Sequence, residues 1–421
     1  MIQEILKALS DCAISRYSIT ETKTDSIECF FIRRKLDMKR RTDLLEYSVT
    51  VYRPFEQDGT AMLGQATVGV HPGQSEDEIK KSLTQAYHSA SFVCNPAYEL
   101  YAGKTDHVRS ESMFAEGPQQ AMKKMAAAIF ENDTAEDAFV NSAEVFVVSK
   151  RKHIVNSAGV DVSFHTENIN GEYVIQCVVP QDVETHHQFS YRKVDAEALA
   201  ADVKESLELT RERAKAVEAP QAGSYRLILS GQNLQEVLSF YDNRSAASMV
   251  YQKYSDYAPG MAVQGEDIEG DALTIELKAV EPYSPEGIPM VDRMLMENGT
   301  LKMLQAPKRF ADYLGIEPTG YYGCKSVPTG STPFAEMKSR PYLYVTTFSD
   351  FQMDAMSGHF AGEIRLGFLY DGEKVTPVTG GSVNGDITQA QKNFVFSKER
   401  FVTANYEGPY AVAMEDVAVA G

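Results

Sequence analysis

With 421 residues the chain is long enough for two or three domains, each with its own core, so folding requires neither disulfides nor metals. The composition is that of an ordinary globular protein, with no Trp and with 59 acidic against 41 basic residues, a formal net charge of -18. Such a balance repels polyanions, because non-specific nucleic-acid binding is built from cationic contacts to phosphates, and it excludes a general DNA-binding role.

The first residues, MIQEILKALSDC, place acids among apolar side chains and read as neither a signal peptide nor a membrane span. No uninterrupted apolar run elsewhere approaches the ~20 residues of a spanning helix, so a cytoplasmic protein without membrane contact is expected. The five cysteines, Cys12, Cys29, Cys94, Cys177 and Cys324, are odd in number and contain no CxxC pair, which fits free thiols in a reducing compartment.

Ile2, Ile5, Leu6, Leu9 and Ala13 recur at helical spacing. Strand-like stretches rich in Val, Thr, Tyr and Ile follow near 14–22, 28–36, 44–53 and 63–70. Within them the segment 33–41, RRKLDMKRR, holds six cations and one acid and reads as a solvated hairpin end, with docking of an acidic partner as the alternative. Ser75 and Glu78 form a capping-box pattern ahead of Ile79, Leu83, Ala86, Tyr87 and Ala90, which share a helix face. Another helix follows Gly117-Pro118, with Met122, Met125, Ala126, Ile129 and Phe130 inward. Residues 143–192 read as an antiparallel meander with turns at 156–159 (NSAG) and at Asn170-Gly171. A charged helix from about Asp195 to Glu218 comes next, and Pro220 and Gly223 interrupt the chain before a buried strand, YRLILS (225–230). The second half has helical turns near 232–255 and 306–314 and a dense β run from about 341 to the end. Helices clustered between groups of strands argue an α+β class, divided into an N-terminal domain 1–218 with mixed or antiparallel strands and a strand-rich C-terminal domain 219–421.

The residues alone spell no complete catalytic motif. A hydrolytic zinc site needs three protein ligands, an open position for water and a carboxylate base. None of the eight histidines sits in an HExxH pattern, and the neighbours His186 and His187 point to opposite faces of a strand, so they read as a solvated surface pair. GGSVN at 380–384 fails as a nucleophile elbow at its last position, and GGSVNG is neither a dinucleotide loop nor a P-loop; a turn between strands is the plainer reading. His359 and Glu363 in SGHFAGE would share a strand face about 13 Å apart, too far for one metal.

The stretches VNSAGVDVSFHT (155–166), AEALAADVKESLELTRERAKAVEAPQAGSYRLILSG (196–231), SPEGIPMVDRMLMENGTLKMLQAPKRFADYLG (284–315), DAMSGHFAGEIRLGFLYDGEKVTPVTGGSVNGDI (354–387) and GPYAVAMEDVAVAG (408–421) together resemble the landmarks of the TldD/PmbA family, also called modulators of DNA gyrase, in the family's order. The first ~110 residues are compatible with its N-terminal domain and match it less distinctively, and the segment after Thr319-Gly320 departs from the usual pattern. In the TldD branch, which is similar to zinc metallopeptidases, a His-Glu-x-x-x-His helix follows the strand at this place and a C-terminal cysteine adds a third ligand. The resemblance puts Gln235 at the first histidine, Glu236 at the glutamate and Phe240 at the second histidine, and no cysteine follows Cys324. Gln is a weak neutral ligand and Phe is none, so Glu236 would have no metal-bound water to deprotonate.

Loss of all three ligands resembles the PmbA/TldE branch. The resemblance therefore implies a TldD/PmbA-like two-domain fold and a catalytically silent subunit, a pseudoenzyme in proteolysis, that pairs with a TldD-like chain as a heterodimer and acts with it on peptides or unfolded small proteins. No cofactor is expected in this chain and zinc only in the partner; Gln235, Glu236 and Phe240 are the degenerate site and His359 and Glu363 substrate-groove candidates. Two other readings stay open: a hydrolase in its own right, with zinc assembled from distant residues such as His359 and His165 or with metal-independent chemistry, and a stand-alone homodimeric binding or scaffold protein. Direct action on nucleic acid is not expected from so acidic a chain.

Overall fold

A computed structural model describes residues 1–421. The N-terminal apolar stripe forms α1 (Ile2–Asp11), followed by three long strands, β1 (Tyr17–Ile32), β2 (Lys35–Gln57) and β3 (Thr60–Val70). The stretches expected as separate strands near 14–22 and 28–36 thus run together. Their joining residues, from Lys23 to Ser26, are polar and carry no apolar alternation, yet each keeps its ladder partner on β2 and on the later strand β5 (Ala138–Asn156).

α2 (Glu76–Ser89) starts at a complete capping box, with the Ser75 hydroxyl accepting from the Glu78 amide and the Glu78 carboxylate accepting from the Ser75 amide. Next come β4 (Thr105–His107) and α3 (Pro118–Glu131), then β5, β6 (Asp161–Cys177), β7 (Val183–Tyr191) and α4 (Ala196–Lys215), whose N-cap is Asp195. The sheet order is β3-β2-β1-β5-β6-β4, with β7 also paired to β6, and only β4 runs parallel to its neighbour. The turn expected at NSAG forms between β5 and β6. Asn170-Gly171, in contrast, lies inside β6 and not in a turn: a Cβ on Gly171 would sit 2.1 Å from the Glu144 carbonyl oxygen and 2.7 Å from the Phe189 ring, so this glycine serves close packing.

One face of this sheet carries two apolar patches. Ile19, Tyr47, Val49 and Val51 are covered by α1 and α2 through Ile5, Leu9, Ile79 and Leu83. Ile27, Cys29, Val145, Val147, Ile169 and Tyr173 are covered by α3 and α4. Between the patches the same-face positions of β1, β5, β6 and β4 are polar, and ladder register sets them in rows: Glu21, His153, Ser163 and His107; Lys23, Arg151 and His165; Asp25, Ser149 and Glu167. The hairpin end at 33–41 is exposed as expected, and Arg40 and Arg41 pair with Glu28 and Asp25, each at 2.8 Å.

The C-terminal half begins with β8 (Gly223–Ser230) and α5 (Gln232–Arg244), followed by α6 (Ala247–Tyr251), β9 (Ile275–Leu277), β10 (Arg293–Glu297), β11 (Thr300–Leu301), α7 (Lys308–Leu314), β12 (Lys325–Ser326) and α8 (Phe334–Met337). The strand-rich remainder is β13 (Tyr342–Met353), β14 (His359–Tyr370), β15 (Val375–Val378), β16 (Ser382–Asp386), α9 (Ile387–Ala390), β17 (Val395–Phe396), β18 (Arg400–Val402), β19 (Tyr406–Pro409) and β20 (Ala411–Ala420). One sheet runs β11-β10-β9-β12-β19-β18; the other runs β13-β8-β20-β16-β14-β15 and closes on itself because β13 also pairs with β14. The largest core is made entirely of residues from Leu227 onward and holds one face of α5. No helix is long and apolar enough to cross a membrane.

Candidate functional site

The turn from β8 into α5 passes through Gly231 at φ +57, a left-handed conformation that glycine adopts without strain. Leu234, Val237, Leu238 and Tyr241 then recur at helical spacing and are fully buried. Gln235 and Glu236 lie beside that stripe, half-buried. The Gln235 Oε1 accepts from the Thr403 hydroxyl at 3.4 Å, while its Nε2 is buried without a partner. The Glu236 carboxylate accepts from the Met353 amide at 3.3 Å. Phe240 is 4% exposed and sits edge-on to Tyr241 and Tyr257, at centroid separations of 5.3 and 6.4 Å, with the Arg244 guanidinium 5.9 Å above its own ring and 5.0 Å above that of Tyr257. Burial first, and Asp256 in addition, pushes the Tyr257 phenol upward.

This arrangement holds a helix in place and offers a metal almost nothing. Glu236 is occupied by backbone, and Phe240 completes an aromatic cluster. Nearby, Lys325, 7% exposed, is paired with Asp242 of α5, whose other oxygen is buried without a partner. Arg244 also borders an open recess of about 450 Å³ lined by Val250, Lys253, Tyr254, Ser255 and Asp256.

His359 and Glu363 occupy exposed positions of β14, alternating with buried Phe360 and Ile364. The His359 Nδ1 lies 3.3 Å from the Gly385 carbonyl, and Glu363 pairs with Arg365 at 3.3 Å. His165 belongs to the polar belt of the first sheet, 2.7 Å from the Ser149 hydroxyl, on a different sheet from His359. His186 is exposed and 3.1 Å from Glu172, but His187 departs from the expected solvated pair: its Nε2 is buried without a partner and its ring stacks on Tyr173. Burial first, with His186 adding to it, depresses the His187 imidazole to about 4.

Three potential metal ligands do converge elsewhere, at His107, His153 and Asp161, with ligand atoms within 4.8 Å of one another. His153 and Asp161 flank the NSAG turn, so hairpin register could have paired them from the sequence; nothing in the sequence placed His107 beside them.

The family described as PmbA/TldA metallopeptidase C-terminal domain matches residues 222–421. The C-terminal half of the chain belongs to the TldD/PmbA family. The whole-chain fold agrees with solved structures that bear on this family. TldE from Thermococcus kodakarensis is 16% identical, with 99% of this chain and 100% of that one covered and a TM-score of 0.76. A DNA gyrase modulator candidate from Thermotoga maritima is 16% identical over 100% of both chains, with a TM-score of 0.76. Another from Bacteroides thetaiotaomicron is 15% identical over 100% of this chain and 98% of that one, at 0.79. No curated protein matches by sequence. The mixed α+β TldD/PmbA fold expected from the sequence is therefore the fold of this chain.

Proposed function

We propose that this chain is a non-catalytic, TldE-like subunit that completes the peptidase of a TldD-like zinc chain acting on peptides or unfolded small proteins. The observation that carries the reading is the state of α5: the position that resembles the second zinc histidine is Phe240, packed 4% exposed among Tyr241, Tyr257 and Arg244, and the adjoining glutamate accepts from backbone at Met353. A family-type domain with its metal ligands replaced by packing residues fits a subunit whose role is assembly and substrate binding rather than water activation. The outward positions of His359 and Glu363 on β14 leave both available to a peptide or a partner.

The test is reconstitution with a TldD-like chain from the same organism. A complex in light scattering, with chelator-sensitive peptide hydrolysis exceeding that of either chain alone, is expected. Chelator-sensitive hydrolysis by this chain alone, lost on Glu236→Gln, would overturn the proposal; a stable homodimer that ignores TldD-like chains would favour a scaffold instead.

A further inference from the structure

The polar belt across the first sheet ends in a cluster that the peptidase reading does not use. His153 on β5, Ser163 on β6 and His107 on β4 are directly opposed across three neighbouring strands, and Asp161 stands two residues before Ser163 on the same face. The His153 Nε2 is 2.6 Å from Asp161 Oδ1, the His107 Nδ1 is 2.9 Å from the Ser163 hydroxyl, and the two imidazoles are 5.7 Å apart at 80°. We propose that His107, His153 and Asp161 form a binding site for one divalent transition metal of the zinc class, with its remaining coordination open to solvent.

The donor set is two imidazoles and one carboxylate, which suits zinc and its neighbours better than the all-oxygen preference of calcium or magnesium. Ligands around a tetrahedral zinc stand about 3.3 Å apart, given bond lengths of 2.0–2.2 Å. The ligand atoms lie within 4.8 Å of one another, so the widest separation exceeds that spacing by about 1.5 Å, a distance on the scale of side-chain rotation. The three ligands come from three hydrogen-bonded strands, so the backbone is preorganised. Ser163 is placed to fix the His107 ring through Nδ1 and leave Nε2 for the metal, the outer-shell role that metal-bound histidines commonly require. His107 is exposed and His153 half-buried, which gives an entry path.

The site also has a mechanical meaning. Between α2 and α3 the chain has just one strand, the three-residue β4, so a metal held by His107 would clip this long connection onto β5 and β6. The inference is independent of the partner reading, because none of the three ligands belongs to α5.

The experiment uses the full chain, stripped with chelator and dialysed. Co²⁺ titration read by visible absorption, with Zn²⁺ in competition, is expected to show one equivalent bound with a tetrahedral or five-coordinate spectrum. His107→Ala and His153→Ala should each weaken it by about tenfold or more, as expected when a ligand is lost. His107→Ala changes an exposed side chain and keeps the fold testable by its unfolding midpoint. Glu236→Gln and Gln235→Ala should leave binding unchanged, which separates this site from α5. Bound metal should also slow tryptic cleavage at Lys104 and Arg109, both exposed in the clipped segment. No stoichiometric binding, or binding that survives loss of both histidines, would overturn the proposal.

Discussion

The imidazole of His187 lies on the ring of Tyr173, centroids 5.1 Å apart and planes 14° from parallel, and the hydroxyl of Ser206 reaches both side chains. The Tyr173 phenol in turn donates to Asp202 at 2.7 Å, so α4 is fastened to the sheet by a network holding two titratable groups with opposite habits.

The pH dependence of stability follows from that pair. Burial first, with Glu205 adding, raises the Asp202 carboxyl from 3.8 to about 6, against the hydrogen bond from Tyr173. The folded state holds this proton more tightly, so the stabilisation is complete below about 3.8 and is lost as pH rises through 6. His187, depressed from 6.5 to about 4, does the reverse: its contribution is full above 6.5 and is lost as pH falls towards 4. Urea unfolding of Asp202→Asn should show a gain on the order of 1–3 kcal/mol at pH 8 that vanishes below pH 4. A variant no more stable than the parent at pH 8 would contradict this account.

Gly171→Ala should be among the most damaging small substitutions, because the new methyl meets the Glu144 carbonyl oxygen at 2.1 Å in the middle of two ladders. A loss of about 2–4 kcal/mol is expected from forced separation of the strands. Denaturant midpoints at constant slope measure it.

Asp242 neutralises the buried Lys325, linking α5 to β12. Removing the carboxylate by Asp242→Ala strands a buried cation and should cost about 3–5 kcal/mol, whereas the double change Asp242→Leu with Lys325→Met should recover much of it. The comparison by thermal or urea unfolding distinguishes a charge effect from simple loss of packing.

Phe240→His places an imidazole on α5 without the further ligands that a metal site needs. An imidazole placed among Tyr241, Tyr257 and Arg244 loses aromatic packing and has Arg244 as a cationic neighbour. A destabilisation of about 1–3 kcal/mol without any gain in bound zinc is expected, checked by unfolding and by elemental analysis beside the parent.

Much of this architecture is legible in local pattern. The capping box at Ser75, the stripes of α3 and α5, and the charged α4 all bury apolar residues at helical period, and the NSAG turn has the chemistry its geometry needs. What escaped was set by long-range pairing. Lys23 to Ser26 carry no strand signal because they are polar on both faces of the sheet, and Gly171 reads as a turn residue because the sequence does not show what packs above it. His187 looked solvated beside His186 until Tyr173, fourteen residues earlier, supplied a stacking face. The comparison of Gln235, Glu236 and Phe240 with the ligands of a zinc helix rests on family resemblance alone, since absent ligands leave no pattern of their own. The convergence of His107 with His153 needed the register of β4 on β6, which no local periodicity contains.

The polar belt has a consequence for how the molecule breathes. With α1 and α2 covering one apolar patch and α3 and α4 the other, and charged rows between them, the first sheet is two cooperative units strung on shared ladders. Peeling the first helix pair from its strands exposes only its own patch, so amide protons at that end should exchange through a partial opening while those beneath α3 and α4 wait for a costlier one. The sheet thus loosens at one end without surrendering the other.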